Sequence, residues 1–302
     1  MPSGRDAART VGRYGVWANL DRFDGPTLRE FARWLGSSPR FRTLWFPETI
    51  AGKEALSLAT FLLASSERLV VGTGIASLWA RDPMAMANGA RAIGAWFPGR
   101  FILGIGVSHA PSVATRGHAY RQPYERMRAF LDAMDAAKYV GPTSAQPVPR
   151  VLAALGPRML RLAAERADGA HPYFVPVEQT SLSRKILGPD PLLAVEQAVV
   201  LEADPAKARA VARQHTRRYL AFENYANNLR RLGWSEAALA ADGGSDDLVD
   251  AVVAHGAAPD VAQRVEEHLR RGADHVCVQV ILEGAPRAPM AELDSLQALL
   301  AG

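Results

Sequence analysis

Cysteine is almost absent: one stands in 302 residues. Cys277, inside the apolar run HVCVQVI, has no partner for a disulfide within the chain. That suits a reducing, cytoplasmic setting, and the residue reads as a small buried hydrophobe. Long apolar runs are missing too, since none approaches the about 20 residues that cross a bilayer. The N-terminus, MPSGRDAARTVGR, lacks the apolar core of a signal peptide. Residues 1–12 read as a flexible tail ahead of a single domain over 13–302. No metal is expected, because His109 and His118 lack helical ligand spacing and there is no Cys pair. The absence of a G-x-S-x-G elbow weakens a serine hydrolase reading. Positive charge exceeds negative only slightly, with 35 Lys and Arg against 31 Asp and Glu. The excess is scattered along amphipathic segments, for example at Arg209, Arg213, Arg217 and Arg218. No basic block marks a nucleic-acid footprint, so the expected partner is a small molecule, and a mild positive field favours an anionic one.

What the chain does have is alternation. Strand-like runs begin at Arg13 (RYGVWA), Thr43 (TLWF), Arg68 (RLVVGTG), Arg100 (RFILGIG) and Arg150 (RVLAAL). They continue at Gly169 (GAHPYFV), Leu192 (LLAVEQAVVL) and Asp274 (DHVCVQVI). Short, continuous and aliphatic, they fit parallel strands buried on both faces. Helix-like segments separate them. Asp82-Pro83 and Asp204-Pro205 place a capping carboxylate before a first-turn proline. Met127, Phe130, Leu131 and Met134 recur at helical spacing, as do Val261, Val265 and Leu269 before the terminating Gly272. Eight such units in one chain predict an α/β (β/α)8 barrel. Residues 204–259 exceed one helix and predict a helical insertion before the last strand.

Three strand ends share small residues: Gly72-Thr-Gly74, Gly104-Ile-Gly106-Val-Ser-His109, and Ala154-Leu155-Gly156-Pro157. Neither Gly-x-Gly has the third glycine of a dinucleotide fingerprint. In a barrel the C-terminal strand ends converge on one mouth, so the three are expected to line one ligand site. The Gly156-Pro157 turn opens a helix whose free N–H groups favour a phosphate, although a plain helix start would look the same. Glu48, after strand two, is a candidate proton acceptor or a solvated loop carboxylate. His109 and His171 are candidates for proton transfer, or simply loop hydrogen-bonders.

The segment GTGIASLWARDPMAMANGARAIGAWFPGRFILGIGVSHAP, with ALGPRMLRLAAERADGAHPY after it, resembles the luciferase-like monooxygenase superfamily, in its deazaflavin-dependent (coenzyme F-420) oxidoreductase branch. The resemblance implies a barrel of the bacterial luciferase-like type with a flavin-like ring across its mouth. It implies a non-prolyl cis peptide at Gly74-Ile75, with Ser77 following. It implies that Gly106, Val107 and Ser108 contact the cofactor, and that Ala154, Leu155, Gly156 and Pro157 hold its phosphate. Relatives acting on sugar phosphates carry a histidine and tryptophan after strand two; Pro47-Glu48-Thr49 stands here instead, which speaks against that substrate class.

The implied activity is hydride transfer between a reduced deazaflavin and a small organic substrate, with Glu48 or His109 handling the proton. His171 and Tyr173 are expected on the substrate side. An FMN-dependent monooxygenase using dioxygen is the nearer alternative, and a non-catalytic barrel subunit the further one. The resemblance also suggests a homodimer. Trp79, Met84 and Met86 would serve either its face or the core.

Overall fold

A computed structural model describes residues 4–301. Among them ten strands follow in order: β1 (Tyr14–Trp17), β2 (Thr43–Phe46), β3 (Val70–Thr73), β4 (Ala76–Ser77), β5 (Phe101–Gly106), β6 (Arg150–Leu152), β7 (Gly169–Ala170), β8 (Leu192–Leu201), β9 (Val253–Gly256) and β10 (His275–Val280). Pairing is parallel around the ring β10-β1-β2-β3-β5-β6-β7-β8. Register from His275↔Ala194 to Val280↔Val199 joins β8 back to β10 and closes it. The eight strands of the ring are the eight runs legible in the sequence, and helices separate them. This is the (β/α)8 barrel. The short β4 continues β3 past a bulge and pairs with β5, Ser77 opposite Gly106.

Local chemistry sets the helix starts. Asp82 accepts from Ala85 N at 2.9 Å, and Asp204 accepts from Ala206 N and Lys207 N. Each cap satisfies N–H groups that the helix itself leaves free. The helix Pro123–Asp135 buries Met127, Phe130, Leu131 and Met134, the face its spacing predicted. Inside the ring the filling is aromatic. Trp45 stacks on His171 with centroids 4.7 Å apart, and its Nε1 donates to His275 Nε2 at 3.1 Å. Gly72 makes room for this, since a Cβ there would lie 2.5 Å from the Trp45 ring.

Two features depart from the sequence reading. Residues 4–11, expected within a loose tail, form the helix Gly4–Val11. Ala7 and Val11 are buried, and Arg5 pairs with Asp190 at 2.8 Å, so the segment is docked at the start of β8. Between β8 and the helix Ala258–Arg270 that leads into β10, the insertion holds the extra helices expected, Pro205–Leu220, Glu223–Arg231, Glu236–Ala240 and Asp246–Val252, but also β9, which adds to the far end of β8.

Of the three residues weighed as core or dimer face, Met86 is fully buried and Trp79 Nε1 donates to Val107 O at 2.9 Å. Met84 is 53% exposed. No helix among the described residues is long and apolar enough to cross a membrane.

Candidate active site at the barrel mouth

A cavity of about 710 Å³ opens at the C-terminal ends of the strands, a volume suited to a small-molecule site. Ile75, Val107 and Gly156 all line it, so the three small-residue strand ends do form one wall. Gly74, Gly106, Ser108, Ala154, Leu155 and Pro157 line it as well. The Gly74-Ile75 peptide is cis, as the resemblance implied. Ser108 holds φ 58°, a left-handed conformation that non-glycine residues seldom adopt outside special sites.

Ser77 does not line the cavity. It lies buried behind the wall, and its N–H donates to Glu48 Oε2 at 2.8 Å. Glu48 borders the cavity but its carboxylate is spoken for. Oε1 accepts from Arg81 and from Ala55 N at 3.3 Å, while its backbone N–H donates to Ile75 O at 3.1 Å. Its side chain is 3% exposed. Such a group ties β2 to the bulge after β3; with both oxygens occupied it is poorly placed to exchange protons with a ligand.

His109, by contrast, keeps one ring nitrogen without a partner. Its Nδ1 lies 2.9 Å from Asn224 Oδ1, an acceptor, so the proton sits on Nδ1 and the Nε2 lone pair is free. Burial holds the imidazole below its ordinary value, against the opposing pull of Asn224. The ring stacks on Phe222, centroids 4.2 Å apart.

His171 and Tyr173 also line the cavity. His171 donates from Nδ1 to Ala194 O at 2.9 Å, and burial lowers it to about 4, so it is neutral at pH 7. Its Nε2 and the Nε1 of Trp17 are buried without partners. Both lie within 3.0 Å of the point where a Cβ on Gly74 would stand. The acceptor and the donor thus face one spot on the cavity floor, which glycine alone leaves open. Tyr173 OH lies 2.6 Å from Tyr219 OH and 2.8 Å from Gln279 Oε1. A single hydroxyl proton serves only one of these, so Tyr219 donates to Tyr173 and Tyr173 to Gln279.

Sequence reasoning missed the roof. The insertion helices Pro205–Leu220 and Glu223–Arg231 bring Tyr219, Phe222, Asn224, Tyr225 and Arg231 over the mouth. The signal was an aromatic every third residue, Tyr219, Phe222 and Tyr225, in an otherwise polar stretch. It also missed the cation beside the Gly156-Pro157 turn. A Cβ on Gly156 would lie 3.3 Å from Arg231 Nη1, so a guanidinium stands over the N-terminus of the helix Pro157–Arg166. Free N–H groups and a positive charge there make one corner of the cavity suited to an anion.

No three His, Cys, Asp or Glu side chains among the described residues form a metal-binding group. A closed parallel ring with a concavity at its C-terminal end, walled by strand ends and roofed by an insertion, is the layout of a (β/α)8-barrel enzyme. Within that class the chain belongs to the luciferase-like monooxygenase family, whose model matches residues 40–275. It is 25% identical over 299 residues to the 5,10-methylenetetrahydromethanopterin reductase of Methanolobus tindarius, covering 85% of this chain and 90% of that protein. Among solved structures, an F-420-dependent secondary alcohol dehydrogenase holding an F-420–acetone adduct superposes with a TM-score of 0.75. Identity there is 14%, over 96% of this chain and 98% of that one. The oxygenating component of the FMN-bound 3,6-diketocamphane monooxygenase of Pseudomonas putida gives 0.63, at 14% identity and 95% of each chain.

Proposed function

We propose that this protein is an oxidoreductase that moves a hydride between a deazaflavin of the coenzyme F-420 type and a small organic substrate. The observation that carries the reading is the shared cavity. The bulge at Gly74-Ile75, the end of β5 and the Gly156 turn border one space, with an anion-binding corner at one end. These residues fit a planar ring with a phosphate-bearing tail. The bound deazaflavin would supply hydride acceptor and donor chemistry. Ile75 and Val107 would support the ring, while the Gly156 turn and Arg231 would hold the phosphate. Trp17 and Tyr173 close the floor, and Tyr219, Phe222 and Tyr225 keep water from above. His109, neutral with Nε2 free, would take up or return the proton that accompanies the hydride. The names of the reductase and the alcohol dehydrogenase above support the deazaflavin; they do not choose the substrate. The reading includes a homodimer, for which Met84 and Trp96, exposed on the helix Pro83–Trp96, offer apolar surface.

Equilibrium titration with F-420 and with FMN tests this directly. Tight binding of F-420 and weak binding of FMN is the expected result, and failure of both to bind would end the proposal. The second reading, an FMN monooxygenase, rests on the likeness to the camphane enzyme's barrel. Oxygen consumption with reduced FMN would mark it.

Arg231 gives a sharper check on cofactor orientation. Replacing it by alanine removes one charged hydrogen-bonding group, which is expected to weaken binding of a phosphate-bearing cofactor by about tenfold or more. The loss should shrink at high salt. A cofactor analogue lacking the phosphate should bind variant and parent alike; equal loss for both analogues would place the phosphate elsewhere.

A further inference from the structure

The opposite end of the barrel carries a second concavity with a different character. Arg13 precedes β1, Arg42 precedes β2, and Arg68 stands two residues before β3. With Arg9 and Arg40 they line a cavity of about 270 Å³. An adjoining cavity of about 610 Å³ shares Arg9 and Arg13 and adds Arg270. Six arginines from four segments of the chain therefore line two adjoining depressions, with Glu266 and Asp274 on the rim of the larger.

Little neutralises them. Arg9 pairs with Asp6 at 2.6 Å, and Arg13 reaches Glu266 at 3.4 Å. Glu266 is shared further, accepting from Tyr14 OH and from Ala301 N at 3.3 Å. Arg40, Arg42, Arg68 and Arg270 have no side-chain hydrogen bond or ion pair among the described residues. Elsewhere on this chain arginines at comparable positions are used up. Arg100, just before β5, donates to Ser66 O at 2.6 Å, and Arg150 at the start of β6 pairs with Asp135 at 3.0 Å. Gathering like charges in a concavity raises their mutual repulsion, which an anion of several charges would relieve. Solvated helix faces do not show this convergence.

We propose that this N-terminal face binds a compact oligophosphate, such as a di- or triphosphate group. Arginine rather than lysine points to bidentate recognition of phosphate oxygens. The small volume of the arginine-lined cavity suits one short chain of phosphates and not a nucleic-acid strand. The site lies away from the mouth, on the end of the barrel that does not carry catalysis. It is therefore a separate ligand site, independent of which cofactor the mouth accepts.

Calorimetric titration of the full chain with inorganic pyrophosphate and tripolyphosphate, at physiological salt, is the test. Tripolyphosphate is expected to bind more tightly than orthophosphate. The double substitution Arg42→Ala with Arg68→Ala should weaken it at least tenfold. Arg42→Lys with Arg68→Lys, which keeps the charge but loses the fork, should still lose several-fold. Both variants should keep the parent's melting temperature and its cofactor affinity at the mouth. The proposal is overturned if millimolar tripolyphosphate gives no heat, or if the alanine pair binds as the parent does. It is equally overturned if citrate, sulfate or an oligonucleotide binds as well and with the same salt dependence, which would reveal a diffuse field only.

Discussion

Glu196→Gln should stabilise the protein at alkaline pH and leave it unchanged near pH 4.5. Glu196 lies inside the barrel, 1% exposed; its Oε2 accepts from Phe174 N at 3.0 Å and its Oε1 has no partner. Burial pushes this carboxyl up from 4.5 to about 8. In the folded state it stays protonated while the unfolded chain ionises. Its contribution is therefore fully present below pH 4.5 and is lost as pH rises through 8. Each tenfold change in proton affinity is worth about 1.4 kcal/mol, so the variant should gain about 5 kcal/mol over the parent at pH 9.

Four histidines act with the opposite sign. Burial lowers His171 and His275 to about 4, and His215 and His268 to about 3, from 6.5. Their contributions are intact above pH 6.5 and disappear as pH falls toward those values. Stability should thus rise to about pH 6.5 and decline from there to about pH 8. Urea denaturation at pH 5, 7 and 9 measures both limbs. Parallel profiles for parent and Glu196→Gln would show that the carboxylate is ionised in the fold.

Arg81→Met should cost about 3–5 kcal/mol, because it strands the buried Glu48 carboxylate. The Arg81 side chain is 10% exposed and that of Glu48 3%, so water replaces little of what is lost. Arg81 also bonds Glu54 at 2.7 Å, but Glu54 is half exposed and can be solvated. The cost therefore falls on Glu48. Adding Glu48→Gln to Arg81→Met removes the orphaned charge and should restore most of the stability. Because Glu48 holds Ser77 N and, through its own N–H, Ile75 O, Arg81→Met should also weaken cofactor binding. A double-substitution cycle on unfolding free energy decides the matter. If the two changes simply add, the pair is not coupled and Glu48 returns as a candidate for proton transfer.

These two cases show where the sequence was informative. The eight ring strands were legible because each is a short apolar run, and the capping carboxylates Asp82 and Asp204 mark helix starts between some of them. β9, VAHG, was not, because four residues of mixed polarity carry no period. The N-terminal helix was hidden for a related reason: only Ala7 and Val11 anchor it, and such a short polar stretch looks like a tail until its docking surface exists. At the site, the wall was legible through its glycines, but not what they pack against. Gly74 and Gly72 first make room for Trp17, His171 and Trp45, and the ligand space follows from that packing. Arg81 and Glu48 lie 33 residues apart, and no local pattern announces the pair. Glu196 looked like one polar residue in a buried strand; its exceptional environment arises only when β7, β8 and β10 close around it.

The division of labour around the mouth has an evolutionary consequence. Floor and wall are assembled from strands dispersed over the chain and interlocked through the barrel, whereas the cover comes from one uninterrupted block, residues 205–231. A lineage that exchanges that block, or an engineer who grafts one, keeps the strand-built floor and wall but must carry Asn224 and Arg231 across with it, since they bear on His109 and on the Gly156 turn.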